Sequence, residues 1–196
     1  MSSQTTNEKE NFDVIYESIL DSIELKRNIL LHACAGNGKS YMIKKLYDAL
    51  HSIKSMILTS TTGVSAFFIG NGCKTIHSFS GIQTGNKEAE YYIRKIRRNY
   101  KRLNDIRDVQ ILVIDEISML GQTILEKLDI IFQTIRKNSE PLGGIQLIIS
   151  GDFLQLPPVG DEFCFLSSVW DELKLKNYVL TTPQRHKDDK SFYRML

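Results

Sequence analysis

Three short runs in this chain hold residues whose types and spacing do chemistry. The first is Ala33-Cys-Ala-Gly-Asn-Gly-Lys-Ser40. A phosphate-binding loop is written GxxxxGK[ST]. Gly38, Lys39 and Ser40 fit it, Gly36 adds flexibility, and Ala33 replaces the first glycine. Between a strand and a helix, such a loop turns its backbone N–H groups and the helix N-terminus towards a phosphate. Lys39 reaches the outer phosphates in this reading, and the Ser40 hydroxyl holds Mg²⁺. The bland alternative is a glycine-rich turn with a solvated lysine.

The second run is Ile111-Leu-Val-Ile-Asp115-Glu116, about 75 residues downstream. An apolar run ending in two acids puts a carboxylate pair at the carboxyl end of a strand, where open α/β sheets bind ligands. Asp115 is the candidate for the magnesium shell. Glu116 is the candidate to orient or deprotonate an attacking water. A solvated strand end is the alternative. The third run is Ser150-Gly-Asp-Phe-Leu-Gln-Leu-Pro-Pro-Val159. Gln155 follows a buried strand there and is the candidate to sense a γ-phosphate. The alternative is a surface turn capped by Asp152.

These runs need elements to position them. Phe12, Ile15, Tyr16, Ile19 and Ile23 recur at helical spacing, so a helix is predicted over residues 12–25, preceded by a polar flexible tail over 1–11. Strands are predicted at Asn28–His32, Met56–Thr59, Val109–Asp115, Ile145–Ser150 and Tyr178–Leu180. Helices are predicted after the loop (Ile43, Leu46, Tyr47 and Leu50 inward), over Thr62–Ile69 and over Thr123–Lys137. Continuous apolar strands alternating with helices mean an α/β fold, with a mostly parallel sheet covered on both faces. No linker or internal repeat interrupts residues 12–196, which read as one domain.

Composition narrows the function classes. The chain has 196 residues, 42% hydrophobic and 24% charged, an ordinary globular balance. No apolar run is long enough to span a bilayer, and the start lacks a signal-peptide pattern. Cys34, Cys73 and Cys164 form no CxxC pair, which argues against zinc and against a disulfide framework. The expected setting is intracellular, nucleus or cytoplasm, without a membrane partner. Abundant Ile, Lys and Asn fit an AT-rich genome, a viral one included. A net charge of +2 implies no nucleic-acid partner by itself, so charge placement must carry that case.

The set of runs resembles the superfamily 1 DNA helicases of Pif1 type. Ala35-Gly-Asn-Gly-Lys-Ser40 is similar to their motif I. Thr59-Ser-Thr-Thr-Gly-Val-Ser-Ala66 with Lys74-Thr-Ile-His-Ser-Phe-Ser-Gly-Ile82 is similar to their motif Ia region. Asp115-Glu-Ile-Ser-Met119 resembles motif II, Gly151-Asp-Phe-Leu-Gln-Leu-Pro-Pro158 motif III, and Leu180 to Arg185 motif IV. The motifs keep family order from Phe12 to the end. The resemblance implies a RecA-like P-loop NTPase fold. It implies Mg-ATP binding through Ala35, Gly36, Asn37, Gly38, Lys39, Ser40, Asp115 and Glu116. Gln155 and Arg185 then act on the γ-phosphate, and Thr59, Thr62, Thr75, His77 and Phe79 touch single-stranded DNA. It also implies 5′ to 3′ movement, DNA junctions as substrates, and partners in replication, repair or recombination.

Two positions depart from the family pattern. Tyr16 stands where such helicases carry an adenine-reading glutamine; tyrosine stacks on a base but cannot make the bidentate amide contact. Motif IV reads Gln184-Arg185-His186 rather than Phe-Arg-Gln. The chain is expected to supply the first of two motor domains.

Charge placement adds one more feature. Arg94, Lys95, Arg97, Arg98, Lys101 and Arg102 put six cations within nine residues, with Tyr91, Tyr92 and Tyr100 interleaved. That suits phosphate neutralisation with base stacking, or simply a solvated helix face. Two alternatives to a helicase stay open at this level: a nucleotide-gated regulator that does not translocate, and a DNA-binding module with a vestigial nucleotide site.

Overall fold

The structure, a computed structural model, describes residues 2–34 and 36–181, and of residues 2–10 the backbone alone. Six strands form one parallel sheet: β1 (Ile29–Ala33), β2 (Met56–Ser60), β3 (Lys74–Thr75), β4 (Ile111–Asp115), β5 (Gln146–Gly151) and β6 (Lys176–Leu180). Their spatial order is β3-β2-β4-β5-β1-β6. The helices are α1 (Ser2–Glu24), α2 (Lys39–Leu50), α3 (Gly63–Ile69), α4 (Ile76–Ser80), α5 (Ala89–Arg97), α6 (Tyr100–Asp108), α7 (Gln122–Arg136) and α8 (Ser168–Glu172).

The strands read as unbroken apolar runs because the sheet has two cores. On β4, Ile111 and Val113 pack with α1 and α2, while Leu112 and Ile114 pack with α5, α6 and α7. On β5, Ile148 joins the first core, and Leu147 and Ile149 the second. The period-2 alternation of strand side chains divides each strand between two buried layers.

Two expectations need revision. The tail predicted over residues 1–11 is corrected, because α1 starts at Ser2. Gln4, Glu8, Lys9 and Glu10 have helix-compatible propensities without an apolar stripe, so periodicity does not reveal that helical start. The basic run over 94–102 spans the end of α5 and the start of α6. Asn99 caps α6, its side-chain oxygen accepting from Arg102 N at 3.1 Å. Lastly, β6 begins at Lys176, because the main chain pairs along β1 from Ile29↔Lys176 to Ala33↔Leu180.

Arg136 closes the amino end of the sheet. Its guanidinium donates to the carbonyls of Gly143 (2.7 Å), Ile106 (2.8 Å), Arg107 (2.7 Å) and Val109 (3.0 Å). Burial pushes its pKa below the usual arginine value, with Asp108 acting in the opposite direction.

Candidate active site

The loop after β1 turns on glycines. Gly36 and Gly38 both have φ of 85°, in the left-handed region where a Cβ is strained. Gly38 is the N-cap of α2, so the helix begins at Lys39. The first backbone N–H groups of a helix lack intrahelical partners and suit an anion. Lys39 is buried, and its Nζ donates to Ala33 O at 2.6 Å and Cys34 O at 3.5 Å. The ammonium is thus held against two carbonyls at the loop entrance. Asn37 is also buried, and its Nδ2 donates to Leu180 O at 3.1 Å, tying the loop to β6. Its backbone N–H donates to Cys34 O at 3.2 Å. Asn37 therefore braces the loop through its side chain. Ser40 lies in the first turn of α2. Ala35 falls outside the described residues.

Cys34 in this loop is exposed, while Cys164 is buried. Burial pushes the Cys164 thiol up to about 12 and Cys73 to about 11, the latter with help from Asp115. Only thiolates react fast. Iodoacetamide at mildly alkaline pH should therefore label Cys34 first, and bound Mg-ATP should slow that labelling. Equal labelling of all three thiols in the folded chain would contradict this placement.

The acid pair closes the opposite wall. β5 lies between β1 and β4 in the sheet, so the loop and Asp115 flank the end of β5. Asp115 is buried at 1% exposure. One carboxylate oxygen accepts from Ser65 Oγ at 2.8 Å, and the other accepts from the Ser150 hydroxyl. Glu116 sits at φ 55°, ψ 46°, a conformation that costs a non-glycine residue about 1 kcal/mol or more. Thr61 holds both backbones: its N donates to Asp115 O at 3.0 Å and its Oγ1 to Glu116 O at 2.8 Å. Ser65, Ser150 and Thr61 carry no sequence signal that would pair them with the acids.

The donor chemistry fits magnesium. Ser40 hydroxyl and Asp115 carboxylate are hard oxygen donors. Among the described residues no three His, Cys, Asp or Glu side chains gather into a metal cage. Mg²⁺ keeps waters and substrate oxygens and needs few protein ligands.

Gln155 lies on an exposed turn beyond β5, its Nε2 donating to Asp152 Oδ2 at 3.1 Å. That turn also exposes Leu154 and Val159, each at 95%. Phe153 anchors it, meeting Phe163, Phe165 and Trp170 edge-on and His32 of β1 at 6.2 Å. Burial lowers the His32 pKa, against the pull of Asp152. Arg185 and the rest of the motif IV expectation lie outside the described residues. Tyr16 packs in the core between α1 and α2, and Lys45 Nζ stands 3.9 Å from its ring centroid. The structure thus gives Tyr16 a packing role.

The five residues expected to face DNA separate into two groups. Thr59 and Phe79 have inward-turned side chains. Thr59 is fully buried within β2, its hydroxyl donating to Val113 O at 2.5 Å across the sheet. Phe79 is 1% exposed, edge-on to Phe132 at 6.0 Å. Both sit within a motif whose neighbours are accessible, and only packing decides which way each side chain turns. Phe79→Ala should cost about 3–5 kcal/mol of stability, measured by denaturant unfolding. A loss below about 1 kcal/mol would contradict the buried placement.

Thr62 and Thr75 are the N-caps of α3 and α4, accepting from Ser65 N and Ser78 N at 3.1 Å each. Partly exposed, they remain at the surface with His77, whose pKa burial lowers, so its ring is neutral at pH 7. His77 borders a cleft of about 450 Å³ with Ser78, Gly81, Lys95, Asn99 and Arg102. Gly81 has φ of 77°, and a Cβ there would meet Arg102 Cδ at 2.9 Å. Two cations of the α5–α6 basic stretch thus join the α4 segment in one cleft.

The profile of the PIF1-like helicases matches residues 4–191. The chain belongs to that family. Its PIF1-like character is as clear in individual relatives. It is 40% identical over 189 residues to the ATP-dependent DNA helicase PIF1 of Saccharomyces cerevisiae, covering 92% of this chain and 22% of the relative. The helicase RRM3 of the same species is 40% identical over 185 residues, covering 89% of this chain and 25% of the relative. Human PIF1 is 36% identical over 176 residues, covering 87% and 27%. The chain therefore spans about a quarter of the length of these curated relatives. The crystal structure of Pif1 helicase from Candida albicans superposes with a TM-score of 0.86 at 36% identity, covering 92% of this chain and 42% of that one. Bacteroides Pif1 in complex with ADP-AlF3 and single-stranded DNA gives 0.74 at 28% identity, covering 91% and 44%. The PIF1-like sheet and its RecA-like arrangement are thus shared with solved helicases.

Proposed function

We propose that this chain is the ATP-binding first motor domain of a Pif1-type DNA helicase. It couples Mg-ATP hydrolysis to 5′ to 3′ movement along single-stranded DNA and to duplex unwinding. The observation that carries the reading is the pairing of the Lys39 loop with Asp115 and Glu116 across the end of β5. Family membership supports it, as do relatives solved with ADP-AlF4 and with single-stranded DNA.

In this reading ATP phosphates replace the Ala33 and Cys34 carbonyls as partners of Lys39. The α2 N-terminus and Lys39 then stabilise charge on the transferring phosphoryl group. When bound, Mg²⁺ would supply charge neutralisation for the transferring phosphoryl group. Ser40 and Asp115 are the residues that would hold it. Glu116 orients a water for in-line attack and takes its proton. Gln155 and Arg185 act on the γ-phosphate and link it to movement against a second motor domain.

Thr62, Thr75 and His77 form the single-strand track, and the Lys95–Arg102 cleft holds its phosphates. Junction DNA is the natural substrate, and the setting is replication, repair or recombination inside the cell, in nucleus or cytoplasm. Among the described residues no helix is long and apolar enough to cross a membrane.

The test is steady-state Mg-ATP hydrolysis with and without an oligo-dT strand. Turnover that rises with the strand supports a DNA-coupled motor; turnover blind to DNA favours the nucleotide-gated regulator. A second expected outcome concerns the cleft. Replacing Lys95 and Arg102 together by Ala should weaken oligo-dT binding and flatten its log–log salt slope by about 1.4. An unchanged slope would remove the cleft from the DNA path.

A further inference from the structure

α3 has two unlike faces. Ala66 and Ile69 pin it to the body, while Val64, Phe67 and Phe68 stand 68%, 82% and 68% exposed. Ser65, on the inward side, donates its hydroxyl to Asp115 Oδ2 at 2.8 Å. The other Asp115 oxygen accepts from Ser150, which lies within β5 at the centre of the sheet. One oxygen is therefore tied to a rigid strand and the other to a short surface helix. Thr62, the N-cap of that helix, belongs to the proposed single-strand track.

A carboxylate has about four lone-pair sites. The two serine bonds leave acceptor capacity on the carboxylate while setting its plane. A hydrogen bond loses most of its strength when its donor moves beyond reach or out of line. A small displacement of α3 thus reorients Asp115, whereas the Ser150 bond stays with the sheet.

We propose that Ser65 is a positioning residue that couples single-stranded DNA on α3 to Mg-nucleotide at Asp115. The proposal rests on the ATPase reading above. It needs no change in the bonds made by Lys39 or Glu116.

The experiment measures oligo-dT affinity by fluorescence anisotropy for the full chain, with and without Mg-ATPγS, and nucleotide affinity with and without oligo-dT. Linkage requires each ligand to change the other's affinity by one common factor. In the wild type that factor is about fivefold or more. In Ser65→Ala it falls to within about twofold of unity, while each ligand alone still binds, Mg-nucleotide more weakly because one charge-assisted bond to Asp115 is lost. Ser65→Thr keeps the hydroxyl and restores the factor. Ser150→Ala weakens Mg-nucleotide binding and preserves the factor. Wild-type coupling in Ser65→Ala overturns the proposal, as does equal decoupling in Ser150→Ala or a factor of one in the wild type. A wild-type chain that binds no Mg-nucleotide overturns the ATPase reading as well, which keeps the two failures apart.

Discussion

Lys39→Ala should weaken Mg-ATP binding by about 100-fold or more, the scale of a lost buried charge contact. The lysine is already buried at 8% exposure and poised at the loop, 2.6 Å from Ala33 O. Removing it leaves the phosphates without their nearest cation and the loop without the bond that closes its entrance. Both effects act on the bound state, so loss of affinity should precede any loss of fold. Labelled-nucleotide titration measures the first and thermal unfolding the second. An alanine variant that binds Mg-ATP like the wild type would end the phosphate-loop assignment. Lys39→Arg is a sharper control, because the charge remains but the longer planar head cannot fit the two-carbonyl seat.

Glu116→Gln should separate binding from chemistry. Glutamine keeps the volume and the left-handed backbone at φ 55°, and Thr61 still holds the carbonyl at 2.8 Å. Only the ability to accept a proton is lost. Mg-ATP affinity should stay within about threefold, while turnover falls by about a hundredfold or more, the usual contribution of a general base. Single-turnover hydrolysis with a parallel binding titration reads both. Undiminished turnover would assign water activation elsewhere, and Gln155 or Asp152 on the neighbouring turn would be the next residues to change.

Much of this architecture is legible along the chain. Strand β4 is an unbroken apolar run ending in acids, and such a run has few ways to fold besides a buried central strand. The glycines before Lys39 mark a turn that only they adopt without strain. Legibility fails where several local choices are nearly equal in energy. Phe79 and His77 lie two residues apart in one motif, yet Phe79 packs on Phe132 and His77 lines the cleft. Thr59 and Thr62 read alike as polar residues, but strand pleat buries the first and helix capping keeps the second at the surface. The cations of residues 94–102 read equally as a phosphate-binding segment or a solvated helix face, because α5 and α6 are short amphipathic helices with dense surface charge. Their buried residues, Tyr92, Ile93, Ile96, Leu103 and Ile106, become a stripe only when the two helices are separated at Asn99.

Sequence alone determined the α/β class, the loop at Ala33–Ser40, the acid pair at Asp115–Glu116 and the order of the motifs, because each depends on local propensity and spacing. Tertiary structure decided what lies between them. The strand order inserts β5 between β1 and β4, so a serine distant in sequence comes to hold Asp115. The same folding brings Ser65 of α3 to the other oxygen and turns Thr59, Phe79 and Tyr16 into packing residues. Those pairings bridge residues far apart along the chain. They are fixed by how two cores close on one sheet, and no local pattern encodes that closure.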